Sequence, residues 1–134
     1  MTNKWKSLTQ DNKVKLIVFI FGAVLIPVVG VAGDRNNLGS AWNSLSEYQK
    51  AIAYYEQALS SDLKTYGEAH PAVATIRNNL GLAWSSLGKY QKAIAHYELA
   101  LVTMEKKLKN HPNTAVLRNN LASAREERAK VATN

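Results

Sequence analysis

The chain repeats itself. Residues 35–59 (RNNLGSAWNSLSEYQKAIAYYEQAL) recur as residues 77–101 (RNNLGLAWSSLGKYQKAIAHYELAL), with 19 of 25 aligned positions identical. A third start, RNNLASA, opens at Arg118, so the equivalent arginines stand 42 and 41 residues apart. Self-similarity with a fixed period of this size marks a stacked array, in which each unit buries its apolar face only against its neighbours. The duplication therefore fixes the fold class first. It also directs the question of function to the surface such an array presents, and so to recognition before chemistry.

The second copy shows what one unit is. Val73, Ile76, Leu80, Ala83, Trp84 and Leu87 fall three or four residues apart, which is one apolar face of a helix. Gly88-Lys89 breaks the pattern. Tyr90, Ala93, Ile94, Tyr97, Ala100, Leu101, Met104 and Leu108 then form a second stripe. Asn110 is expected as a left-handed cap and Pro112 as the first residue of the next helix. The unit reads as helix, tight turn, longer helix, loop. Gly39, Gly81 and Ala122 recur at one position, as do Ala51 with Ala93 and Ala58 with Ala100, where larger residues would hold helices apart. Trp42, Trp84, Tyr48, Tyr90, Tyr55 and Tyr97 are expected to fill the space between units. In the third copy Arg125 replaces the tryptophan and Glu126, Glu127, Arg128, Ala129 and Lys130 follow, the polar outer face a terminal helix needs.

These residues resemble a tetratricopeptide repeat. Leu80-Gly81 with Trp84, and Leu38-Gly39 with Trp42, match that family's Leu-Gly-x-x-Tyr element, with Trp for Tyr. Tyr90, Ala93, Tyr97 and Ala100 match the second helix. The longer second helix and the His-Pro openings (His70-Pro71, His111-Pro112) resemble the kinesin-light-chain type. The family's opening Trp is replaced by Arg35, Arg77 and Arg118, and Glu105 stands where its closing Pro would be. The resemblance covers about residues 29–131. It implies an all-α fold, a short solenoid of two helix pairs plus a capping helix, with repeat 1 at 34–70, repeat 2 at 71–111 and the cap at 112–131.

Ahead of the repeats lies a different kind of segment. Residues 16–33 (LIVFIFGAVLIPVVGVAG) carry no charge and no hydrogen-bonding side chain, long enough for a membrane-spanning helix. Lys4, Lys6, Lys13 and Lys15, in the basic flank 1–15, precede it, and lysine excess marks the cytoplasmic side. The leading expectation is a single-pass anchor with the N-terminus inside and the repeats outside. A signal peptide cleaved near Gly30-Val31-Ala32 or Val31-Ala32-Gly33, giving a secreted domain, and a buried helix of a soluble fold are the alternatives. Because VGVAGD (29–34) precedes the first copy where PAVATI (71–76) precedes the second, the first helix is expected to lose its opening turn, with Asp34 as N-cap of a helix starting at Arg35.

In tetratricopeptide repeats the first helix of each pair lines the concave groove. Carried over, this implies groove positions at Asn36, Ser40, Asn43 and Ser44, at Thr75, Asn78, Leu82, Ser85 and Ser86, and at Val116, Asn119, Ser123, Glu126 and Glu127. Asn is a poor helix former, yet Asn36, Asn78 and Asn119 are equivalent. An amide both donates and accepts, which suits the backbone of an extended peptide. Asn37, Asn79 and Asn120 are expected at the helix interface. The carboxylate-clamp mode is disfavoured, since no Lys or Arg occupies these positions.

Little points to chemistry. There is no cysteine, and no HExxH, GxSxG or Gly-rich phosphate loop. His70 and His111 read as turn residues and His96 stands alone. The +7 charge is spread along the chain without a basic stripe interleaved with aromatics, so no nucleic-acid partner is expected. No enzymatic activity, cofactor or metal is expected. The sequence reads as a membrane-tethered interaction module for a protein or peptide partner, or alternatively as a structural or assembly subunit of a membrane complex.

Overall fold

Five helices follow one another in the computed structural model, which describes residues 31–134, with side chains from Asp34 onward. They are α1 (Val31–Ser44), α2 (Tyr48–Tyr66), α3 (Pro71–Ser86), α4 (Tyr90–Lys107) and α5 (Pro112–Thr133). No strand occurs among the described residues. Consecutive helices pack on one another, giving two antiparallel pairs, α1–α2 and α3–α4, and a fifth helix laid on the second pair. The all-α array and its two and a half units are as the duplication requires. The expected anchor lies mostly outside the described residues, and no helix among these is long and apolar enough to cross a membrane.

The turn within each pair has one geometry. After α1, Glu47 N–H donates to Trp42 C=O at 3.0 Å and Ser46 N–H to Asn43 C=O at 3.0 Å. After α3, Lys89 N–H donates to Trp84 C=O and Gly88 N–H to Ser85 C=O, both at 2.9 Å. This double closure satisfies the orphan carbonyls and requires one left-handed residue. That residue is Ser46 (φ 58°) in the first unit and Gly88 (φ 69°) in the second. Asn110 is not left-handed: Ser46 is the one described non-glycine with positive φ, and α4 instead ends on Leu108, φ −138°.

The His-Pro pairs are helix starts. His70 and His111 sit at the N-cap in extended conformation, and each Nδ1 accepts from the N–H two residues on, Ala72 at 3.1 Å and Asn113 at 3.2 Å. The intervening prolines have no N–H to satisfy. Expectation fails at the first helix. The backbone is already helical at Val31, so Asp34 lies inside α1 and caps nothing. Gly33 does not stop the helix, because packing of α1 on α2 outweighs the local cost of about 1 kcal/mol.

Two apolar cores result, and α3 serves both. Trp42, Ala51, Ile52, Tyr55, Ala58, Ile76, Leu80 and Ala83 form the first, between α1, α2 and α3. Ala74, Ala93, Ile94, Tyr97, Ala100, Met104, Leu117, Leu121 and Ala124 form the second, between α3, α4 and α5. Trp84 packs against both but is only partly buried, whereas Trp42 is 5% exposed. Beyond the second core α5 turns polar: Arg125, Glu126 and Arg128 are exposed. Arg125 donates to Glu98 and Arg128 to Gln91, each at 2.8 Å, tying the cap back onto α4.

Candidate functional site

Two shallow depressions open between α3 and α5, the first helices of the second unit and of the cap. The larger, about 300 Å³, is lined by Leu82, Ser85, Ser86, Tyr90, Tyr97, Asn120, Ser123, Ala124 and Glu127. The smaller, about 140 Å³, is lined by Thr75, Asn78, Met104, Asn113, Val116 and Leu117. The expected groove positions Leu82, Ser85 and Ser123 thus share one depression, and Asn78 shares the other with Thr75 and Val116. Leu82 and Val116 are left exposed there. The floors come from the second helix of the pair, as Tyr97 and Met104.

The asparagines form a ladder between units. Asn79 Nδ2 donates to Asn36 Oδ1 at 3.1 Å, and Asn120 Nδ2 donates to Asn78 Oδ1 at 3.1 Å. Asn79 and Asn120 therefore lie at the helix interface, as expected. Asn36 and Asn78 have their carbonyl oxygens engaged by the following unit. What they keep for a ligand is the amide N–H₂, a donor suited to a peptide carbonyl. At the ends of the array the ladder is unmatched among the described residues. Asn37 and Asn119 are both exposed, and Asn119 lines neither depression; Asn120 takes that place.

The first unit's candidates are bound up locally. Ser40 Oγ donates to Asn36 C=O at 3.1 Å and lies 3.2 Å from the Tyr55 hydroxyl, which donates to it. Ser44 Oγ donates to Ser40 C=O. Asn43 Oδ1 is buried with no donor. Burial pushes the Tyr55 hydroxyl pKa up, and the bond to Ser40 partly offsets this. Tyr97 behaves alike, but its hydroxyl finds Ser85, because Leu82 stands where Ser40 stands in the first unit.

The arginines opening each copy face away from these depressions. Arg77 is buried and its Nη2 meets both oxygens of Glu68, at 2.9 and 2.6 Å. Arg118 grips Glu105 through Nε at 3.2 Å and Nη2 at 2.8 Å. The two departures from the tetratricopeptide pattern in that unit, Arg for Trp and Glu for Pro, are thus one ion pair. Beside Arg77 lies His96, whose pKa is lowered by burial and by that guanidinium. Its Nδ1 is sealed without a partner, as is Arg77 Nε. No group of three or more metal-ligating side chains occurs among the described residues.

Comparison with known proteins agrees with the geometry. The tetratricopeptide repeat family profile matches residues 35–106, a little over half of the chain. Among solved structures, BtubC (BKLC) from P. vanneervenii is 26% identical with a TM-score of 0.69, over 74% of this chain and 40% of that one. A Podosopora anserina protein described as a kinesin light chain with nearly identical TPR-like repeats is 21% identical with a TM-score of 0.70. That match covers 92% of this chain and 63% of that one. The chain thus spans less than two thirds of the length of either. No curated protein is similar enough to this chain to count as a match.

Proposed function

We propose, from the premise that this chain belongs to the tetratricopeptide repeat family, that it is an interaction module that holds an extended peptide along the face where α3 and α5 lie side by side. Repeats of this family generally mediate protein–protein interaction. The observation that carries the reading is the state of Asn78. Its oxygen is held by Asn120, its N–H₂ remains a donor, and it sits in a depression continued by Leu82, Ser85 and Ser123. A rigid scaffold that presents such donors at one spacing suits a main-chain partner.

Asn78→Ala and Asn79→Ala form the test pair. Each breaks one ladder bond and should lower stability similarly, by about 0.5–1.5 kcal/mol. Only Asn78→Ala also removes a donor from the groove, so it should weaken binding of an isolated partner peptide a further two- to tenfold, roughly the value of one hydrogen bond. Equal loss of affinity in the two variants would place the peptide elsewhere.

The module is, on this proposal, tethered to a membrane by residues 16–33, with the repeats on the outer side. The support is the uncharged run itself and the four lysines before it. A reporter active only outside the cytoplasm, fused after Asn134, should be active and membrane-bound. Active reporter in the soluble fraction would mean a cleaved signal segment, and an inactive one would reverse the orientation.

A further inference from the structure

The two long second helices bury matching residues. Along α2 these are Ala51, Ile52, Tyr55, Ala58 and Asp62; along α4 they include Ala93, Ile94, Tyr97, Ala100 and Met104. Shifted by the 42-residue period the five pair one to one, and only the last changes chemical class: Asp62 stands where Met104 stands. Met104 lines the smaller depression with Thr75, Asn78 and Val116. By the same period Asp62 lies at the groove floor one unit earlier, with Asn36 and Thr75 at the corresponding places.

Asp62 is 8% exposed and makes no hydrogen bond or ion pair among the described residues. Its oxygens are not sealed from solvent, so the carboxylate opens onto the groove. Holding an unpaired carboxylate so deep is unfavourable unless something supplies a counter-charge. A second acceptor of the same unit, Asn43 Oδ1, is buried and also lacks a donor. No lysine or arginine lines either depression between α3 and α5, and their one charged residue, Glu127, is paired with Lys130 at 2.8 Å. In a chain of net charge +7, this face offers acceptors and one uncompensated negative charge.

We propose that Asp62 anchors a lysine or arginine side chain of the bound segment, so that the partner is an extended peptide with a basic residue at a fixed place. This rests on the reading of the groove as a peptide site. It adds that a cationic partner is selected and an acidic one rejected, since like charges brought together at a desolvated contact are strongly unfavourable.

Short random peptides displayed on phage and selected on the full 134-residue chain test this. The expected winners carry Lys or Arg at one fixed position. Against a synthetic winner, Asp62→Asn should weaken binding at least about tenfold, as expected for a charge-assisted pair removed from a partly buried site. Replacing the peptide's arginine by citrulline should cost as much, and the two losses should not add. The melting temperature of Asp62→Asn should stay level or rise, because an unpaired buried charge is removed. Winners that lose binding in Asn78→Ala but carry no fixed basic residue, or that resist Asp62→Asn, overturn the Asp62 assignment and leave the groove reading standing. Failure to recover any peptide sensitive to Asn78→Ala overturns both.

Discussion

Gly39 and Gly81 lie against the flat faces of Tyr55 and Tyr97. A Cβ built on Gly39 would sit 2.6 Å from the Tyr55 ring, and one on Gly81 would run into the Tyr97 ring in the same way. Both glycines are helical, where alanine would ordinarily gain about 1 kcal/mol. Contact reverses the sign. Gly81→Ala must displace a ring that is 1% exposed and closed in by the second core, an overpacking cost of roughly 1–3 kcal/mol. Thermal melting should therefore show a net loss for Gly81→Ala, and a variant as stable as its parent would mean that the ring is not where it is described. Ala122 occupies the same repeat position and is exposed, since no second helix follows α5 to cover it. The small-residue pattern was legible in the sequence. That it serves two particular rings was not, because a spacing fixes a face but not what approaches it.

At the scale of the element, most boundaries follow from local chemistry. His-Pro starts α3 and α5 because the imidazole nitrogen accepts the N–H two residues on and proline has none to lose. The turns after α1 and α3 close by the same pair of backbone bonds, although one uses serine and the other glycine at positive φ. The duplication thus preserved a turn geometry while changing the residue that suits it best, since a left-handed conformation is strained for any residue with a Cβ. Where local signals misled, tertiary contact was the reason. Gly33 and Asp34 argued for a helix beginning at Arg35, yet α1 is helical from Val31 because it packs along α2. Asn110 had the chemistry of a left-handed cap, but the chain runs on from Leu108 into the cap of α5.

At the scale of the molecule, the array is two three-helix cores joined through α3. Trp84 touches both, with Lys92 Nζ 4.1 Å from its ring centroid; Trp42, under Lys50 at 4.3 Å, belongs to the first core alone. Neither core encloses more than a few side chains, so the units depend on each other, as in any solenoid this short. Trp84→Ala should cost about 2–4 kcal/mol, below the full range for a buried tryptophan because the ring is only partly covered. Chemical denaturation should show that loss in one shared transition. A loss below about 1 kcal/mol would mean that the two cores do not meet through this residue.

Sequence alone determined what depends on spacing along one helix: the two and a half units, the helix pairs, the apolar stripes, the polar cap and which asparagine of each pair looks outward. These follow because 3.6 residues per turn fix a side chain's direction once the helix is granted. Only the tertiary structure decided which residues of different helices meet. The ladder from Asn79 to Asn36 and from Asn120 to Asn78, the pairing of Arg118 with Glu105, and the half-coverage of Trp84 all depend on how neighbouring helices are offset and how closely they approach. Asp62 shows both sides at once. Its replacement of Met104 is visible by aligning the chain with itself, but that the carboxylate is buried, unpaired and open to the groove is a property of the packed array. Burial and pairing are relations between elements, and a repeat period does not encode them.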